Sequence, residues 1–255
     1  MYAQREEAGE AAAPGADASP ASHATSASPH ARRITSFRSR RSTLSAGQQQ
    51  TWERLWPQIG TEARDGEGNP VVLDPAGWFG RQAPLILEIG CGTGVSTSAM
   101  AQQEPDLDVI AVEVYKKGLG QLLGVIDRDG IPNIRLVRGD GVDVLEHSLP
   151  AESLTGVRVY FPDPWPKARH HKRRFFQTAT MALIADRLKP GGILHAATDH
   201  MEYAEHIAEV GDAEPRLRRV GPDQQLPISV ARPETKYERK ALAGPIVTEL
   251  LWERI

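Results

Sequence analysis

Between Pro84 and Ala197 the chain alternates short runs of branched apolar residues with amphipathic stretches, and most apolar runs stop at glycine, proline or an acid. Leu85-Ile86-Leu87-Glu88-Ile89 is too short for a helix and leads into Gly90-Cys91-Gly92-Thr93-Gly94. It reads as a strand, and Val95 to Gln103 as the helix after the turn. The same alternation predicts a strand over Asp108 to Val114, a helix from Lys116 to about Asp129 and a strand over Asn133 to Val137. A short helix around Val142 to His147 follows, then a buried strand, Val157 to Phe161, which Pro162 ends. A helix over Arg173 to Leu188, a strand over Ile193 to Ala197 and a helix over His200 to Val210 complete this stretch. Ile246 to Trp252 reads as an edge or hairpin strand. Strands alternating with helices make this an α/β chain, with a mostly parallel sheet and helices on both faces.

The chain before Pro84 has a different texture. From Met1 to about His30 it is Ala, Ser, Pro, Gly and Glu with almost no large apolar side chain, so the segment is expected to be disordered. Arg32, Arg33, Arg38, Arg40 and Arg41 then precede the next acid, Glu53. A basic tail and an RNA-contacting arm fit them equally. Ser45 to Trp56 predicts a short helix with Ser45 as its cap, Trp52 and Trp56 on one face, and Pro57 breaking it. Thr61 to Gly80 reads as a turn-rich connection.

Composition narrows the class. The 255 residues suffice for one core, and a net charge of −3 confines any nucleic-acid surface to a local patch. A single cysteine, Cys91, excludes an internal disulfide framework and points to a reducing compartment. No apolar run has membrane-spanning length, and the first thirty residues lack an apolar signal core. A cytoplasmic enzyme with no membrane partner is expected.

Strand, glycine turn and helix make a nucleotide-binding opening, because Gly90, Gly92 and Gly94 let backbone N–H groups approach a ligand closely. Glu113 ends the next strand about twenty residues on, where an acid accepts from ribose hydroxyls. A dinucleotide dehydrogenase is the rival. Its glycines are spaced to seat a pyrophosphate, whereas here Glu88 stands two residues before the first glycine. A carboxylate there suits a cationic cofactor, and S-adenosylmethionine carries a sulfonium and an ammonium. Asp140 ends a strand, where accepting from adenine's amine and capping the following helix are equal readings.

The densest chemistry lies in Tyr160-Phe161-Pro162-Asp163-Pro164-Trp165-Pro166-Lys167. Two prolines hold Asp163 extended on a stiff loop, beside the flat surface of Trp165. Arg169, His170, His171, Lys172, Arg173 and Arg174 follow without an acid. A rigid acid, an aromatic ring and a cationic apron suit a site that holds a base and grips a phosphate backbone. Trp165 either stacks near that base or holds the loop. Asp199, at another strand end, caps the next helix or contacts substrate. His195 and His206 lack a supporting ligand cluster and are expected to pack or solvate rather than bind metal; no metal site is expected. By spacing alone Arg232 to Lys240 is a surface loop.

These motifs, in this order, resemble the bacterial tRNA (guanine-N7)-methyltransferases of the TrmB type. The resemblance covers roughly Ile34 to Ile255. It rests on Phe161-Pro162-Asp163-Pro164-Trp165 with Lys167 and Arg169 to Arg174, on Ala197-Thr198-Asp199, and on Arg232-Pro233 with Thr235-Lys236-Tyr237-Glu238. Gly47-Gln48-Gln49 and Leu55-Trp56-Pro57 also look like the family's N-terminal segment. The resemblance implies a Rossmann-like, class I S-adenosylmethionine-dependent fold with a seven-stranded sheet, and methyl transfer to the variable-loop guanine of tRNA. It implies that Glu88, Gly90, Gly92, Gly94, Glu113, Asp140 and Asp163 surround the cofactor, with Asp163 catalytic. Lys167, Asp199, Thr235, Lys236, Tyr237 and Glu238 would contact substrate, with Arg169 to Arg174 on the RNA. Tyr237 stands where phenylalanine is common, and Lys240-Ala241 where Arg-Gly is usual. The expected division is a tail over 1–30, a basic arm and short helix over 31–60 and the methyltransferase domain over 61–255. The rivals are a methyltransferase with another target and a non-catalytic RNA-binding module on the same fold. Intact Glu88, Gly90, Gly92, Gly94, Glu113 and Asp163 argue against the second. The oligomeric state, monomer or homodimer, is left open.

Overall fold

The computed structural model describes residues 35–37, 43–233 and 247–255. Ile34–Ile255 forms one compact unit. Its sheet has eight strands: β1 Gly60–Glu62, β2 Leu85–Ile89, β3 Asp108–Glu113, β4 Ile134–Arg138, β5 Leu154–Tyr160, β6 Leu188–Thr198, β7 Leu217–Arg219 and β8 Thr248–Arg254. The order across the sheet is β1-β4-β3-β2-β5-β6-β8-β7. β1 to β6 run parallel, and β8 runs antiparallel to both neighbours. This is the expected Rossmann-like sheet with one short strand, β1, added at its edge.

The central strands are buried on both faces, which is why they lack strict alternation. Leu85, Leu87 and Ile89 of β2 join Ile110, Val112 and Val159 in one core. Helices α6, Thr178–Arg187, and α7, Met201–Asp212, cover it through Met181, Ile184 and Ile207. Ile86 instead joins Val109 and Ala111 in a second core under α4, Lys116–Asp129. Leu119, Leu122, Leu123 and Ile126 make the apolar stripe of α4, and Gly130 closes it in the left-handed conformation (φ 63°).

Several elements depart from the sequence expectations. Helix α1, Ala46–Ile59, starts at Ser45 with a capping box to Gln48 but runs through Pro57. The proline cannot donate to Glu53, yet it stands in the last turn, where only one internal hydrogen bond is lost. Trp52 and Trp56 stack at 4.0 Å within that helix, and Lys116 lies over Trp52. The connection over 61–80 contains most of β1 and a helix, α2, Pro75–Phe79, capped by Asp74. The helix expected over Arg173 to Leu188 is split: a 3₁₀ segment, Ala168–Arg173, precedes α6. The last strand is interior, because the three-residue β7 covers its outer side. Among the described residues, no helix is long and apolar enough to cross a membrane.

Candidate active site

The parallel strands deliver their carboxyl ends to one edge of the sheet, the usual place for ligands in such sheets. A cleft of about 840 Å³ opens there. Glu88, Glu113, Asp140 and Asp163 line it with the glycine turn, and so do Ser36 and Phe37 from the N-terminal segment.

The turn needs its glycines. Gly90, Gly92 and Gly94 all have positive φ, at 76°, 58° and 75°. Gly94 caps α3, Val95–Gln103, and a Cβ there would stand 2.5 Å from Leu122 Cδ1. Glu113 fastens the turn from the next strand: one carboxylate oxygen accepts from Gly92 N at 2.9 Å, the other from Val114 N and Tyr115 N. The acid expected to meet a ribose is therefore also the clasp that shapes the turn.

Glu88 is 3% exposed, and Thr97 Oγ1 donates to its Oε1 at 2.8 Å. Its Oε2 is buried with no hydrogen-bond partner. Burial pushes this carboxyl up, against the pull of Arg158 and Thr97. An unpaired buried carboxylate oxygen beside a cleft is costly until a cation or donor arrives. The donor set thus fits a ligand that brings a positive charge to Glu88. Cys91, close by and buried, has its thiol pushed well up, by burial first and then by Glu113 and Glu88. Asp140 Oδ1 accepts from Val142 N at 3.0 Å and caps α5, Gly141–Asp143, which runs into a π turn, Val144–Ser148. The capping reading of Asp140 is therefore realised, and the residue still lines the cleft.

Asp163 sits between Phe161 (φ 51°) and Trp165 (φ 44°), both in the left-handed region that large side chains avoid. Such backbone persists only where its surroundings over-determine it, and here they do. Phe161 N donates to Ala197 O at 2.8 Å, and Trp165 Nε1 donates to Ser36 O at 2.9 Å. Among the described residues Asp163 makes no hydrogen bond or ion pair. Its carboxylate is half-buried in the cleft wall.

The basic run divides in a way that composition could not show. Lys167, Arg169 and Lys172 are exposed, and His170 and His171 are half-buried. Arg174 is not on the surface. It is 3% exposed, donates to Pro164 O at 2.9 Å and to Glu202 at 3.0 Å, and lies over the Tyr203 ring. Arg173 packs its guanidinium 3.8 Å from the Trp165 ring centroid and donates to the carbonyls of Thr35 and Phe37. Both arginines hold the loop and the N-terminal segment together. Trp165, buried under Arg173, holds the loop and offers no open face for stacking. Asp199 is exposed and does not cap α7. His200 does, accepting from Tyr203 N at 3.3 Å, so Asp199 remains available at the strand end. Thr235, Lys236, Tyr237, Glu238, Lys240 and Ala241 lie outside the described residues, as do Arg32, Arg33, Arg38, Arg40 and Arg41.

Residues 82–245 match the family model described as "Putative methyltransferase". The chain is also 71% identical over 229 residues to "tRNA (guanine-N(7)-)-methyltransferase" of Mycolicibacterium gilvum, covering 88% of this chain and 87% of that protein. A protein of the same name from Mycobacterium tuberculosis is 64% identical over 225 residues, covering 86% and 85%. The chain belongs to the tRNA (guanine-N7)-methyltransferase family.

Within that family frame, two contributors to the cleft went unnoticed in the sequence. Thr97 orients Glu88 from the next helix, and nothing but its position one turn past the glycines could have flagged it. Gly118 had a signal, a glycine in the first turn of a helix. A Cβ there would stand 2.2 Å from the Gly92 carbonyl oxygen. Gly118→Ala gains about 1 kcal/mol of helix propensity and loses about 1–3 kcal/mol to overpacking. The variant is expected to melt at a lower temperature and to bind nucleoside cofactor several-fold more weakly by calorimetry. Unchanged affinity would mean that the turn does not need this close packing. Among the described residues, Asp143, Glu146 and His147 form the one group of three ligand types. Arg64 already donates twice to Asp143, at 2.8 and 2.9 Å.

Proposed function

We propose that this chain transfers a methyl group from S-adenosylmethionine to N7 of the variable-loop guanine of tRNA. The identity with the mycobacterial enzymes supports the reaction, and one observation supports the seat of its cofactor: the orphaned Glu88 Oε2 in a cleft that Asp163 also lines. Bound S-adenosylmethionine supplies a methyl group on a sulfonium centre, the electrophile of the reaction. Glu88 receives the ammonium of that ligand, Glu113 its ribose hydroxyls and Asp140 its adenine amine, while the Gly90–Gly94 turn gives backbone room.

Guanine N7 carries a lone pair and no proton, so this attack needs no general base and no Lewis acid. What the protein must supply is alignment and compensation for the cation that forms on the ring. Asp163, held on its stiff loop and unpaired among the described residues, accepts from the N–H edge of the guanine and stabilises the developing charge. Lys167, Asp199 and the segment Thr235 to Glu238 contact the tRNA substrate. A folded tRNA is read by shape through its phosphates and sugars, and Lys167, Arg169 and Lys172 are the exposed cations beside the loop. A tRNA substrate fits a cytoplasmic enzyme.

Removing those three charges together is expected to lower the log–log salt slope of tRNA binding by about 0.9 for each phosphate no longer neutralised. Arg173→Ala and Arg174→Ala should act through stability instead, since both guanidiniums bond within the protein. An unchanged slope in the triple variant would take this patch off the RNA surface. The N7 assignment itself is tested by chemistry. A methylated N7 makes the glycosidic bond labile after borohydride reduction, so aniline should cut treated tRNA at one site in the variable loop. Methylated tRNA that resists cleavage would move the methyl group to another atom.

A further inference from the structure

His195, in the middle of β6, is fully buried, and both its ring nitrogens are engaged. Nδ1 lies 2.9 Å from Tyr160 Oη, and Nε2 lies 2.7 Å from Glu249 Oε2 on β8. The other oxygen of Glu249 is 3.1 Å from Arg232 Nε, an ion pair whose N–H is not aligned for a hydrogen bond. The Arg232 guanidinium in turn stands 4.9 Å from the ring centroid of Phe161. The links form a circuit from the end of β5, through β6 and β8, to Arg232 and back to the residue after Tyr160.

The protons in this circuit have one arrangement. Burial alone would raise Glu249, but His195 and Arg232 together hold it below the usual carboxylate range, so it only accepts. Nε2 therefore carries the histidine proton and donates it to Glu249. Burial, outweighing Glu249, keeps His195 neutral, so Nδ1 accepts. Burial also raises Tyr160 well above its ordinary value, so its hydroxyl is protonated and donates to Nδ1. Its oxygen also lies 3.8 Å from Met100 Sδ, a far weaker contact.

Energetics alone do not explain such a chain in a core. A buried ion pair gains little over apolar side chains of the same volume, because desolvation offsets its attraction. Hydrogen bonds give what apolar packing does not, a single direction for each group. What they direct is set by position. Tyr160 stands three residues before Asp163, next to the strained backbone of Phe161. Glu249, on β8, anchors the far end of the chain of bonds in the sheet.

We propose that His195 is a positioning residue, whose bonds to Tyr160 on β5 and Glu249 on β8 hold the start of the Pro-Asp-Pro loop against the sheet. Asp163 is then held where it meets the guanine. The inference rests on the reading of Asp163 given above.

The test is a mutant cycle on the full chain with S-adenosylmethionine and unmodified tRNA. His195→Phe keeps the ring volume and removes both bonds; Tyr160→Phe removes one hydroxyl. Expected are a fall in kcat of about tenfold or more for the first and several-fold for the second, the scale of misplaced catalytic groups. In His195→Phe cofactor affinity should stay within about twofold, since His195 does not line that cleft and the turns after β2, β3 and β4 supply most of it. Added to Asp163→Asn, either substitution should cost almost nothing further, because it acts through the group already removed. Wild-type kcat with only a lower melting temperature would overturn the proposal, as would losses that multiply in the double variants. Should His195→Phe fail to fold, the Tyr160→Phe cycle decides alone. Full activity in Asp163→Asn would defeat the reading of Asp163, and this inference with it.

Discussion

Asp163→Asn lowers kcat by about 10²-fold, the scale of losing one aimed electrostatic group, and leaves tRNA affinity near that of the parent. Asparagine keeps the size of the side chain and fits the same strained loop. It loses the charge that offsets the cation forming on guanine. Structural collapse is not expected, because among the described residues the carboxylate holds nothing in place. The loop is fixed elsewhere, by Phe161 N on Ala197 O, by Trp165 on Ser36 and by Arg174 on Pro164. Single-turnover rates and a filter-binding isotherm separate the two effects. Comparable turnover by the variant would remove Asp163 from the chemistry.

Glu88→Gln weakens S-adenosylmethionine by about 2 kcal/mol, or roughly thirtyfold in Kd, the worth of a charge-assisted hydrogen bond. The amide can still accept from Thr97 through oxygen, so the side chain stays in place, but the vacant position then carries a donor rather than an anion. The sign of the pH dependence follows from the same burial. The Glu88 carboxyl is pushed up, so its neutral form persists to higher pH than that of an ordinary glutamate. A cationic ligand selects the ionised form. Affinity should therefore fall on acidification, beginning above the usual carboxylate range, and the fall should be missing in Glu88→Gln. Equal pH profiles in calorimetry would separate Glu88 from the ligand's charge.

The glycine turn, its acids and the strands that carry them were legible because they are local. A short apolar strand, three glycines and a helix leave few alternatives, and Glu88 and Glu113 follow by counting. The basic run was not legible in the same way. Whether an arginine faces solvent or the core depends on Glu202 and Tyr203, which lie almost thirty residues beyond Arg174, and on Thr35 and Phe37, far before Arg173. A 3₁₀ segment in place of the expected helix start turns those side chains differently. Asp199 and His200 compete for one cap, and a single residue of offset decides it. β1 and β7, three residues each, are too short to show any period, which is why the edge strand was missed and β8 was expected at an edge. His195 was expected to pack, and it does, but its partners come from two other strands, β5 and β8.

The most direct measurement is methyl transfer from tritiated S-adenosylmethionine into unmodified tRNA transcripts, with a transcript lacking the variable-loop guanine alongside. Incorporation into the first and none into the second is the predicted result. Equal incorporation into both would keep the methyltransferase and move its target, and no incorporation despite tight tRNA binding would contradict the account.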